Sequence, residues 1–185
     1  MSQMKTGIVL YCLLLLPPTV QFLESIMLFH MLVQLPLLIM SGWLIGSYIM
    51  ERFHSFFDRF NNNGIPGILT VIMITMYWML PRALDEALTL WYNELFKFVS
   101  LPLLAGVLLR DSWKKLQTVG KSFVYLNYVP MFGLMAWLYI DSPIQICNNY
   151  LAGQQKILGW GFLFITTGMI LYLLQKVFTD SSEPQ

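Results

Sequence analysis

The sequence predicts an all-α fold: a polytopic helical membrane bundle of about six transmembrane helices, with both termini cytoplasmic. Three observations carry this reading. Of 185 residues, 57% are apolar and only 11% are charged, against about 25% charged in an average soluble domain. The apolar residues fall in runs close to the length of about 20 that a helix needs to cross hydrocarbon. Within runs such as 8–16 and 161–174, polar and apolar residues do not alternate as the strands of a membrane barrel would. A helix pairs its own backbone groups inside lipid, which suits such runs. They occupy roughly 7–23, 25–50, 65–81, 91–109, 122–140 and 157–178, so residues 1–185 read as a single transmembrane domain. A net charge of +1 excludes the strong basic excess of a nucleic-acid binder, and the apolar content excludes a disordered chain.

The first run begins after Lys5, and with its apolar stretch it is similar to a secretory signal. No small-x-small cleavage site precedes Glu24, and Leu10-Tyr11 replace the small residues a lipoprotein would carry before Cys12. The expectation is a retained helix broken at its outer end by Pro17-Pro18. The second run holds Pro36 and a Gly42/Gly46 pair whose four-residue spacing permits close helix contact. Between the second and third runs, Phe53, Phe56, Phe57 and Phe60 recur at helical spacing. Glu51, His54, Ser55 and Asp58 fall largely opposite, so 51–63 reads as an amphipathic turn in the headgroup layer. Asn61-Asn62-Asn63-Gly64 ends it, and Pro66 suits the first turn of the third run. The fourth and fifth runs carry Pro102 and Pro130.

Each internal proline frees the carbonyl four residues earlier, on Leu32, Phe98 and Leu126, for a neighbouring helix to satisfy. The strings 33–38 and 99–104 are nearly identical around Pro-Leu-Leu, which hints at a duplicated hairpin. Trp43, Tyr48, Trp78, Trp91 and Trp160 suit interfacial positions.

Lys and Arg set the orientation. Lys5, Arg52, Arg59, Arg110, Lys114, Lys115, Lys121 and Lys176 fall on one side, and only Arg82 and Lys156 on the other. The richer side is cytoplasmic by that rule. The loops near 24, 85 and 147 then face outward, which in a bacterial inner (plasma) membrane is the periplasm. Cys12 and Cys147 lie too far apart on this plan to meet disulfide geometry. Cys147 is an unpaired thiol or a metal ligand.

Chemistry has few places to sit. His30 is the one histidine inside a run, and Met27, His30, Met31 and Gln34 share one helical stripe. Thioether and imidazole are suitable ligands for Cu(I). Met76 and Met79, at the outer end of the third run, are further metal-ligand candidates, and Glu24, Asp85 and Glu86 stand where they would draw cations to that mouth. Methionine is equally an adaptable packing residue, and a buried histidine can simply bond a neighbouring helix. Glu94 and Lys97 are neighbours on one face of the fourth run. They form either a structural ion pair, with Lys97 reaching outward, or a polar wall facing His30. A His54 site with Glu51 and Asp58 would lie on a wet face and needs no metal.

No glycine-rich phosphate loop, nucleophile elbow or zinc helix is present, and the histidines cannot jointly hold a haem. The chain is read as not an enzyme.

The segment with Met27, His30-Met31, Gln34, Pro36-Leu37-Leu38 and Gly42 resembles the caa3-type cytochrome oxidase assembly factor family. The Leu101-Pro102-Leu103-Leu104 span and its following basic loop are loosely similar too. That resemblance implies a polytopic protein serving the copper-dependent maturation of a membrane oxidase. Its partner would be a larger complex such as a terminal oxidase, and its metal copper. Two other readings stand beside it. One is a non-catalytic structural subunit bound through the proline-kinked spans and Gly42/Gly46. The other is a small permease with a water-accessible path along the second and fourth spans.

Overall fold

The computed structural model describes residues 2–142 and 145–180, and among them every regular element is helical. The first run does not cross as one rod. Helix α1 (Ser2–Leu15) stops before Pro17, and α2 (Pro17–Glu24) leaves at 70° to it. Proline lacks the N–H that would continue the helix and is well placed to begin a new one. Helix α3 (Met27–Arg52) is unbroken but passes through a π turn at His30–Gln34. A short α4 (His54–Phe60) follows, then α5 (Ile65–Met79), and at Pro81 the chain turns through 72° into α6 (Pro81–Thr89). Helix α7 (Trp91–Lys115) carries a second π stretch at Leu101–Val107. The fold ends with the long pair α8 (Thr118–Asp141) and α9 (Ala152–Asp180). Four helices are long and apolar enough to cross a membrane, or up to six if each bent pair makes one span.

The segments α1–α2–α3 and α5–α6–α7 share one plan: a helix, a proline bend of about 70°, a short helix, then a long helix with a π turn beside Pro-Leu-Leu. The repeated strings thus fall at matching places. The π turns adjoin Pro36 and Pro102, where the normal ladder lacks a donor. The carbonyl freed by Pro102 is satisfied as anticipated, because Tyr11 Oη on α1 donates to Phe98 O at 3.0 Å.

Helices α3 and α7 run parallel with their backbones in contact. A Cβ on Gly42 would overlap the Pro102 carbonyl, and one on Gly106 the Ile39 carbonyl. Gly46 faces Val107, with 3.3 Å between its notional Cβ and the Val107 Cα. The Gly-xxx-Gly face is therefore consumed inside the chain, and that part of the expected partner surface is not free. Two apolar cores result. One gathers Met27, Met31, Leu38, Trp78, Leu84, Leu101, Tyr139 and Phe162 toward the end that carries Glu24 and Asp85, here the acidic end. The other gathers Phe57, Ile68, Val71, Ile72, Ala105 and Leu108 toward the basic end. Trp78 belongs to the first core, only 1% exposed, with Nε1 donating to Ser100 Oγ at 2.9 Å. It packs inside the bundle, whereas Trp91 and Trp160 are exposed.

Helix α4 keeps its amphipathic character. Phe57 is buried, Phe53, Phe56 and Phe60 are exposed, and His54 pairs with Asp58 at 2.8 Å on the open face. Gly64, at φ +73°, makes the left-handed turn into α5. Asn61 is fully buried, donating to Asp111 Oδ2 at 2.7 Å and Ser112 Oγ at 3.0 Å while accepting from Gly67 N at 2.9 Å. Asn61→Ala would strand the Gly67 donor and take one of its donors from the Asp111 carboxylate, leaving Lys115. It is expected to cost about 2–3 kcal/mol, read as a lower thermal midpoint in detergent; an unchanged midpoint would show the cluster to be dispensable.

Candidate functional site

The bend at Pro17 decides the site. By turning α2 across the bundle, it delivers Glu24 over the acidic-end turns of α3 and α7. There Glu24 meets Lys97, His30 and Gln34, and Tyr150 joins from the loop before α9. Lys97 and His30 are both 0% exposed.

Lys97 Nζ forms an ion pair with Glu24 Oε1, and the same oxygen accepts from Gln34 Nε2 at 3.2 Å. Lys97 Nζ also lies 3.4 Å from His30 Nε2 and 4.9 Å from the Phe98 ring centre. The other ring nitrogen, Nδ1, is 2.8 Å from Tyr150 Oη, whose own proton goes to the Glu24 backbone carbonyl at 2.8 Å. These contacts fix the tautomer. Tyr150 has one proton and has spent it, so Nδ1 must donate; an ammonium can only donate, so Nε2 must accept. His30 is a neutral imidazole with its proton on Nδ1 and a lone pair on Nε2. The Gln34 amide turns its NH₂ to the carboxylate, leaving buried Oε1 without a hydrogen-bond partner among the described residues.

The predicted pairing of Lys97 with Glu94 is replaced by one with Glu24, and Lys97 does not reach outward. Glu94 nevertheless stays within electrostatic reach of the ammonium. Glu24 and Glu94 line a cleft of about 630 Å³ between α2 and the start of α7, walled by Pro17, Val20, Trp91 and Leu95. Asp85 also has a different task from drawing cations. Its carboxylate accepts from Asn148 N at 2.8 Å and Asn149 Nδ2 at 3.2 Å, tying down the loop that carries Tyr150. Glu86 is held by Arg82 at 2.7 Å and Asn93 at 3.0 Å.

The methionines divide. Met27 and Met31 are each 1% exposed beside His30 in sequence, and the Met31 sulfur faces Tyr139 Oη at 4.0 Å. Met76 and Met79 are not among the contacts of His30. They lie with Met73, Met131 and Met135 along a groove of about 750 Å³ between α5 and α8, which no carboxylate lines. Among the described residues no group of three or more His, Cys, Asp or Glu is arranged to hold a metal. Sequence spacing pointed to His30 and Gln34. It missed Tyr150 and the reach of Glu24, for which the only signal was the proline break.

Both cysteines are free, Cys12 exposed and Cys147 buried. Burial and the nearby Asp85 carboxylate push the Cys147 thiol up to about 12, and burial also raises the Tyr150 hydroxyl. A raised thiol pKa means less thiolate at neutral pH, hence low reactivity. In a Cys12→Ser background, Cys147 is expected to alkylate at pH 8 at least about 100-fold more slowly than a free thiol, and fully once the protein is unfolded. Labelling at the free-thiol rate would contradict this placement.

Comparison of the chain with family models, with curated proteins and with solved structures finds no match.

Proposed function

We propose that the chain is a non-enzymatic accessory or assembly protein of a copper-containing respiratory membrane complex, in which His30 transiently holds Cu(I) as cargo. The resemblance of the His30 segment to oxidase assembly factors supports this reading. One structural observation carries it: the only histidine inside a span is buried as the Nδ1–H tautomer, flanked in sequence by two buried thioethers. Metal-binding histidines characteristically donate the other ring N–H to a fixed acceptor, and here Tyr150, anchored on the Glu24 carbonyl, provides one. Nε2, Met27 and Met31 make a nitrogen and two sulfurs, a donor set suited to a soft monovalent ion. Met31 would give up only a long O–H···S contact. Lys97 must withdraw, because its ammonium faces the lone pair. Met76 and Met79 line the groove between α5 and α8 and are not counted in this set.

The charge bias supports an orientation with the basic end and both termini cytoplasmic, which sets His30 toward the periplasmic face of a bacterial inner membrane. Copper analysis of protein purified in mild detergent under reducing conditions tests the reading. Near-stoichiometric copper that disappears in His30→Ala is expected; equal trace copper in both would refute it and favour a purely structural subunit.

A further inference from the structure

We infer that the Lys97 ammonium is a built-in competitor for the His30 cation site, occupying Nε2 in the empty protein and moving to Glu94 when a cation enters through the α2–α7 cleft. The inference rests on the reading of His30 as a Cu(I) site and adds how that site is closed and loaded.

Four features lead to it. The first is the contact itself. At 3.4 Å, Lys97 Nζ to His30 Nε2 is longer than an ordinary N–H···acceptor bond, so the ammonium covers the lone pair without being tightly held by it. What holds Lys97 is Glu24.

The second is an alternative partner within reach. Glu94 lies one helical turn before Lys97 on α7, on the same face, and forms no salt bridge among the described residues. A lysine has four flexible carbons and a point charge that can be re-aimed, so exchange between two carboxylates needs no helix to move.

The third is charge. As the structure stands, Glu24 is neutralised by Lys97, while Glu94 is in no salt bridge among the described residues. After exchange, Lys97 neutralises Glu94, and Glu24 is left to balance the entering monovalent cation. Each of these two carboxylates then has a cation beside it, which matters most for Glu24, the partner of fully buried Lys97.

The fourth is access. Both carboxylates border the same cleft, and Lys97, bound to one of them, links that cleft to His30 behind it. Gln34 Oε1, buried beside Glu24 and without a hydrogen-bond partner among the described residues, is a spare acceptor for whichever group occupies that position. The ammonium thus marks a place built for a single positive charge, and Lys97 acts as a positioning residue rather than a ligand.

Cu(I) affinity of the full-length protein in detergent, measured anaerobically by competition with a chromogenic Cu(I) chelator, tests this. Lys97→Leu removes the competitor without adding a donor sulfur and is expected to bind about tenfold or more tightly than the unmodified protein. Glu94→Gln removes the resting place and is expected to bind about tenfold more weakly. Should Lys97→Leu not fold, Lys97→Gln, uncharged but still able to donate to Glu24, replaces it and is expected to bind more tightly than the unmodified protein. A purely structural Lys97 gives no gain in affinity. Equal or weaker binding by the Lys97 variants, with copper still lost in His30→Ala, would overturn the competitor and leave the copper reading intact. Failure of the unmodified protein to bind copper would overturn both.

Discussion

Lys97→Met is expected to destabilise the bundle by about 3 kcal/mol or more, the usual cost of breaking a buried ion pair from one side. Glu24 would keep its charge in a largely apolar setting, held only by Gln34. The double variant Glu24→Gln/Lys97→Met should recover most of that loss, because no charge is then left alone. The pattern to look for is non-additivity: two groups in one network couple, whereas distant sites add. Thermal unfolding in detergent followed by far-UV circular dichroism would provide the four corners of that cycle. Additive losses would mean that the pair does not form.

The second large effect is expected at the contact of α3 with α7. Gly42→Leu places a branched side chain where the Pro102 carbonyl already lies. Neither backbone can relax locally, since each belongs to a helix packed along its length. Overpacking a tight core costs about 1–3 kcal/mol even where side chains can shift, so a backbone clash should exceed that range and prevent the bundle from assembling. Size-exclusion chromatography should show aggregated Gly42→Leu. Gly168→Leu, at a position where an added Cβ meets nothing, should run as the unmodified protein does. A monodisperse Gly42→Leu would mean that the two helices are not in backbone contact.

How far the sequence could be read follows from what periodicity encodes. It shows which residues share a face, so the long apolar helices, the amphipathic α4 and the burial of Met27, His30, Met31 and Gln34 were all legible. It does not show which residue on another helix stands opposite. Spacing therefore offers Lys97 either Glu94, three residues away, or a place in a wall facing His30; it does face His30, while its ion-pair partner is Glu24, 73 positions distant. The misplacement has a physical source at Pro17. A straight first span leaves Glu24 at the mouth, whereas the 70° bend carries it inward.

Tyr150 was hidden for a different reason. It lies in a loop without periodicity, and its position depends on Asp85 clamping that loop from α6. Trp78 shows the limit of composition. Its indole suits a wet boundary, but Ser100 gives the N–H a partner inside the core. Met76 and Met79 share the outer end with His30 in the sequence pattern, and the structure sets both along the groove between α5 and α8.

The central claim is that His30 presents an unprotonated Nε2 to Lys97, and the tautomer is its direct measure. The chain has two histidines, so ¹⁵N labelling of the ring nitrogens gives a spectrum that a His54→Asn variant assigns completely. The account predicts that His30 in the metal-free protein is neutral with its proton on Nδ1, and that Tyr150→Phe disturbs this state. Finding His30 as an imidazolium, or with its proton on Nε2, would contradict the account, because Nε2 would then have no lone pair to offer the ammonium or a metal.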